Sequence, residues 1–126
     1  MPLYWTIDSR LRTVDIVAED DVTLADAMAF FDATEAAATL AYKQLFDGSR
    51  GRASMTAEEL MAVVVRIRSQ HGMSAMGALA VVASPEQSHQ FARLLGAAAV
   101  ADRPLKVFDE VTPARRWLEA QLPVRP

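Results

Sequence analysis

Three times along this chain an apolar run closes and a capped helix opens. Phe46 and Asp47 end one run, and Thr56 to Glu59 begin a helix. Val81 and Val82 end the next, ahead of Ser84 to Gln87. Leu105 to Phe108 form the third, ahead of Thr112 and Pro113. Short apolar runs bounded by turn residues predict strands, and a capping residue with Glu or Gln three positions on predicts a helix start. Successive strand–helix units leave few alternatives. Each new strand is reached by a crossover, so the strands run parallel and the helices lie on the faces of their sheet.

Ahead of these units the pattern has period two. Leu3, Trp5 and Ile7 alternate with Tyr4 and Thr6, which predicts a strand. After the polar break Asp8 to Arg10, the alternation of Val14, Ile16 and Ala18 predicts a second strand, paired antiparallel as a hairpin. Thr23 and Asp26 cap a helix whose inner face carries Leu24, Ala27, Met28 and Phe31. Leu40 to Asp47 predicts a strand, and Asp47 to Met55 a loop. Thr56 and Glu59 form a capping box ahead of the stripe Leu60, Val63, Val64 and Ile67. His71, as a cation at the dipole's negative end, and Gly72, in a left-handed cap, are expected to end that helix.

Ala78 to Ala83 reads as a central strand buried on both faces. Ser84, Pro85 and Gln87 open a helix with Phe91, Leu94, Leu95 and Ala98 inside. Leu105 to Phe108 are the last strand. Thr112 and Pro113 open the final helix, which carries Trp117 and Leu118 and stops at Pro123. The expected order is ββαβαβαβα. That is an α/β fold with a mostly parallel sheet, an antiparallel N-terminal hairpin strand and packed helices.

At 126 residues the chain is one domain's worth, spanning 1–126. A net charge of −3 argues against nucleic-acid partners, which need clustered positive charge. The absence of cysteine excludes disulfides, thiolate metal sites and thiol catalysis. No secretory leader or membrane-length apolar run is visible, so a soluble cytoplasmic protein without stable membrane insertion is expected.

The segment Asp47 to Thr56 is the leading site candidate. It leaves the carboxyl end of a parallel strand, where ligands of open α/β sheets bind, and enters a helix N-terminus, where free N–H groups favour an anion. Asp47, Ser49, Arg50, Arg52, Ser54 and Thr56 are its candidate ligand- or partner-binding residues. Its spacing is not that of a P-loop. No catalytic constellation is evident, so no enzyme is expected, and no metal or cofactor either. His71 and His89 read as structural or solvated, and Glu19, Asp20 and Asp21 as a solvated acidic turn. Met28, Met55, Met61, Met73 and Met76 suit core packing or, alternatively, an apolar ligand pocket. Trp5 and Trp117 belong at margins of the core. The edge strands Leu3 to Ile7 and Leu105 to Phe108 are where a homodimer would pair.

The stretches Tyr42-Lys43-Gln44-Leu45-Phe46-Asp47, Met55-Thr56-Ala57-Glu58-Glu59-Leu60 and Leu79-Ala80-Val81-Val82-Ala83 resemble those of the SpoIIAA-like family. So does the tail Val107-Phe108 with Ala114-Arg115-Arg116-Trp117-Leu118. This family is related to the STAS domain of anti-sigma factor antagonists. The resemblance spans nearly the whole chain and implies a STAS-like fold and a protein-interaction or regulatory module. In the antagonists a serine at the start of the helix after the third strand is phosphorylated by a partner kinase. This chain has a longer, more basic segment there, with Ser54 and Thr56 in the corresponding place. The fold also resembles lipid-transfer domains, which implies the alternative of a small hydrophobic-ligand or lipid carrier.

Overall fold

Alternating apolar residues build the N-terminal hairpin. β1 (Leu3–Asp8) turns back into β2 (Thr13–Val22), antiparallel, with Trp5 opposite Ile16. Asp8 secures the turn by accepting from the backbone N–H groups of Arg10 (3.0 Å) and Leu11 (2.9 Å). α1 (Leu24–Ala36) leads to β3 (Lys43–Ala53), and α2 (Ala57–Met73) leads to β4 (Leu79–Val82). α3 (Pro85–Gln90) begins the passage to β5 (Leu105–Phe108), and α4 (Val111–Ala120) follows. This computed structural model describes residues 2–90, 96 and 103–123.

The sheet order is β1-β2-β3-β4-β5, with β1 antiparallel to β2 and every other neighbour parallel. The expected element order is present, and β1 and β5 are the edges. The core divides between the two faces of the sheet. On one, Leu45, Ala80 and Val82 pack against Ala114 and Leu118 of α4, with Phe108 and Trp117 alongside. On the other, Leu3, Val14, Ile16 and Ala18 pack with Phe30 of α1. Trp5 meets the Phe30 ring edge-on, with centroids 5.5 Å apart.

Several boundaries differ from expectation, each for a local reason. β3 begins at Lys43 rather than Leu40, since Leu40 to Tyr42 are turn. The inner face of α1 is centred on Ala27, Phe30 and Thr34, because Phe30 is drawn under Trp5. α2 passes Gly72 and ends in an extended Ser74, and no glycine among the described residues has positive φ. His71 lies in the last turn as expected, but burial, and then the charge of Arg103, disfavour its protonated form. α4 starts at Val111 with Glu110 as its uncapped N-cap, so Thr112 and Pro113 sit inside the first turn. Proline is tolerated there because first-turn N–H groups have no intrahelical partner anyway. Phe91, Leu94, Leu95, Ala98 and the His89 side chain lie outside the described residues.

α1 and α2 are joined by charge. Arg66 of α2 pairs with Asp32 (2.8 Å) and donates to both oxygens of Glu35, and its guanidinium lies over the Phe31 ring. Gln70 adds a bond to Glu35 at 3.2 Å. The half-buried setting makes this pair stronger than an exposed one. Glu35 is held below its usual 4.5, chiefly by the hydrogen bond from Arg66. A depressed carboxylate contributes stability that is complete above its unfolded-state pKa and is lost as pH falls through the folded-state value. Arg66→Ala should therefore cost about 2 kcal/mol near neutral pH. The difference from the parent should shrink as pH drops below about 4.5. Urea denaturation of both proteins at two pH values measures this.

Candidate functional site

Between β2 and β3 the register slips once. Val17 pairs with Asp47 but Glu19 pairs with Arg50, so Gly48 and Ser49 stand opposite the single residue Ala18. An extra residue in one strand reverses which side chains face each side. Before the slip Gln44, Phe46 and Gly48 face α1 and α2; after it Gly51 and Ala53 do. The expected loop from Asp47 to Met55 is thus strand as far as Ala53, held by Glu19 to Val22 of β2. Glu19, Asp20 and Asp21 are likewise strand rather than turn.

The candidate residues take separate positions along this segment. Asp47 accepts from the Ser49 hydroxyl (2.6 Å) and N–H (3.1 Å), which tightens the slip. Arg50 pairs with Glu19 at 3.1 Å and Arg52 with Asp21 at 3.0 Å, both on the exposed surface. The hydrogen bond that Arg52 donates to Asp21 raises its guanidinium above its ordinary value. Thr56 accepts from Glu59 N–H (3.1 Å), and the Glu59 carboxylate accepts from Thr56 N–H (2.9 Å). That is the expected capping box. With Glu58 and Glu59 in the first turn, negative charge already occupies this helix end. Ser54 pairs its N–H with Val22 (2.8 Å) and leaves its hydroxyl exposed. Among the described residues no group of three or more acidic or His side chains is arranged to hold a metal ion.

Small residues at the slip make room above the sheet. A methyl group on Gly51 would come within 2.6 Å of Ala18 Cβ, so Ala18 leaves no room for a side chain there. Above Ala18, Gly48, Gly51 and Ala53 lies a cavity of about 200 Å³, roofed by α1 and α2. Phe46 and Val81 line it from the sheet, Phe30 and Phe31 from α1, and Val63 and Ile67 from α2. Met55 and Met76 also line it, whereas Met61 and Met73 are exposed.

Polar groups gather toward one end. Gln44, Gln70 and Arg103 all line the cavity and are all buried. Gln44 pairs with Leu79, and Leu79 with Leu105, so this end lies at the start of the parallel strands. Arg103 is only 7% exposed. Its Nε donates to Gly77 O at 2.7 Å, while its buried Nη2 has no partner among the described residues. A side chain on Gly77 would collide with the Tyr42 carbonyl, so only glycine lets this backbone come so close. Burial pushes the Arg103 guanidinium down to about 10, which leaves it charged at neutral pH.

Residues 13–119 match the SpoIIAA-like family. The chain belongs to that family. It is also similar to the crystal structure of an uncharacterized protein from Shewanella loihica PV-4 with a SpoIIAA-like fold. That likeness has a TM-score of 0.66 and 16% identity over 92% of this chain and 93% of the other. At that identity it shows the fold alone. No curated protein matches the sequence.

Two features of this SpoIIAA-like domain escaped sequence reasoning. One is the polar cluster. Gln70 interrupts the inner stripe of α2 three positions after Ile67, which is a readable signal, but nothing local marks Arg103. The other is Gln87, expected only as a cap. Its Oε1 does accept from Ser84 N–H at 2.8 Å. Its Nε2 also donates to the carbonyls of Gly48 (2.9 Å), Ser49 (3.1 Å) and Gly51 (3.1 Å). Beyond Asp47 β3 has outrun β4, so these carbonyls have no ladder on that side. Gln87 supplies it. Gln87→Ala should cost about 1–3 kcal/mol by stranding them. Hydrogen exchange should quicken most in the segment from Gly48 to Ala53, as mass spectrometry of deuterated peptides would show.

Proposed function

We propose that this SpoIIAA-like domain is a non-enzymatic binding module that carries a small hydrophobic ligand between its sheet and the α1–α2 pair. The observation supporting this most strongly is the cavity. It is a partly open, largely apolar space with a few polar side chains at one end, the usual make-up of a small-ligand site. Larger side chains in place of Ala18 or Ala53 would fill it. An engineered apolar cavity of about 150 Å³ is already large enough to take benzene. Among the described residues the polar side chains lining this one belong to Gln and Arg, with no paired nucleophile and base, which favours binding over catalysis.

A second reading has its own observation. The exposed Ser54 hydroxyl lies two residues before the cap of α2, so a phosphoryl group there would add charge of about −2 next to Glu58 and Glu59. A regulatory, partner-facing surface would then include Ser54 and Thr56. Pull-downs with Ser54→Ala and Thr56→Ala test it, and a full set of partners retained by both variants ends it.

For the carrier, native mass spectrometry of protein purified from its host without denaturation should show a bound hydrophobic molecule. Val63→Phe fills the cavity from α2 and should abolish that mass while raising the melting temperature. An unchanged adduct on Val63→Phe would place the ligand elsewhere.

A further inference from the structure

Arg103 presents a problem that the apolar cavity does not solve. A guanidinium this deeply buried normally has a carboxylate beside it, because desolvating an unpaired charge is costly. Among the described residues no carboxylate reaches it: its one partner is the Gly77 carbonyl, and Nη2 points to nothing. The nearby His71 does not help, since its own buried Nε2 has no partner among the described residues and Arg103 disfavours its charged form. The remaining cavity-lining polar groups at this end, Gln44 and Gln70, are neutral amides.

From this geometry we infer that the cavity takes an amphiphilic monocarboxylate, with its apolar tail under α1 and α2 and its carboxylate on Arg103. The inference rests on the carrier reading and names the ligand class for it. With Nε committed to Gly77, a planar carboxylate matches the spacing of the two outer nitrogens, of which the enclosed Nη2 has no partner among the described residues. One negative charge neutralises the one buried positive charge. A phosphate dianion would bring a second charge into a region whose other polar groups are amides. The lining supports the orientation too. From Gln44 the inward residues run through Phe46 and Gly48 to Gly51 and Ala53, leaving the anion end and entering an apolar channel.

Isothermal titration with octanoate, octanol and octyl phosphate, which share one tail, tests the assignment. The parent protein should bind octanoate about 10- to 100-fold more tightly than octanol. Arg103→Met should erase that preference while keeping octanol affinity. Equal affinity for octanoate and octanol in the parent would overturn the role of Arg103 and leave the carrier standing. Tighter binding of octyl phosphate than octanoate would overturn the carboxylate assignment. If none of the three binds the parent, both this inference and the carrier fail. The comparison within the parent decides the matter even if Arg103→Met does not fold.

Discussion

One extra residue in β3 shapes much of this domain. Opposing Gly48 and Ser49 to Ala18 turns the second half of the strand over, so that Gly51 and Ala53 take the inward positions under the helices. The arginines go to the outside, where Glu19 and Asp21 meet them. The same residue leaves carbonyls that β4 is too short to pair, and Gln87 joins α3 to β3 by bonding them. Floor, surface charge and helix docking all follow from that slip. Bulges commonly re-aim side chains close to functional sites, and here the re-aimed positions form the floor of the cavity.

Most of the fold was legible because it rests on local signals. The capping boxes at Thr23, Thr56 and Ser84 are where their residues indicate. The alternation from Leu3 to Ala18 builds the hairpin, and the apolar run before Ser84 is an inner strand. The slip was not legible. It breaks period two in a segment with two glycines and two arginines, so the far half of β3 read as loop. The start of α4 was missed for a different reason: Thr112 and Pro113 make a good cap in isolation, but the chain leaving β5 has already turned helical at Val111.

The candidate site was legible only in part. Asp47 to Thr56 does border the cavity, through Gly48, Gly51, Arg52, Ala53 and Met55. The positive charge expected there is matched by acids from β2, a pairing across 31 positions of sequence that no spacing rule shows. Arg103 and Gln70 converge from separate elements, and the burial that makes them notable is a property of the assembled fold. Membership of the SpoIIAA-like family fixes the scaffold. Function depends on groups placed upon it.

The two faces of the sheet differ in how they are held. Behind the sheet, Ala80 and Ala114 are fully enclosed, and apolar contact joins α4 to β3, β4 and β5. In front, Phe30 seats α1 on the sheet, but beside it the α1–α2 pair spans the cavity and is tied by the ion pairs of Arg66. Helices held by polar ties over a void separate at lower free energy than helices set into a packed core. Breathing should therefore be one-sided. The α1–α2 pair should open more readily than α4, while β3, β4 and α4 keep their positions.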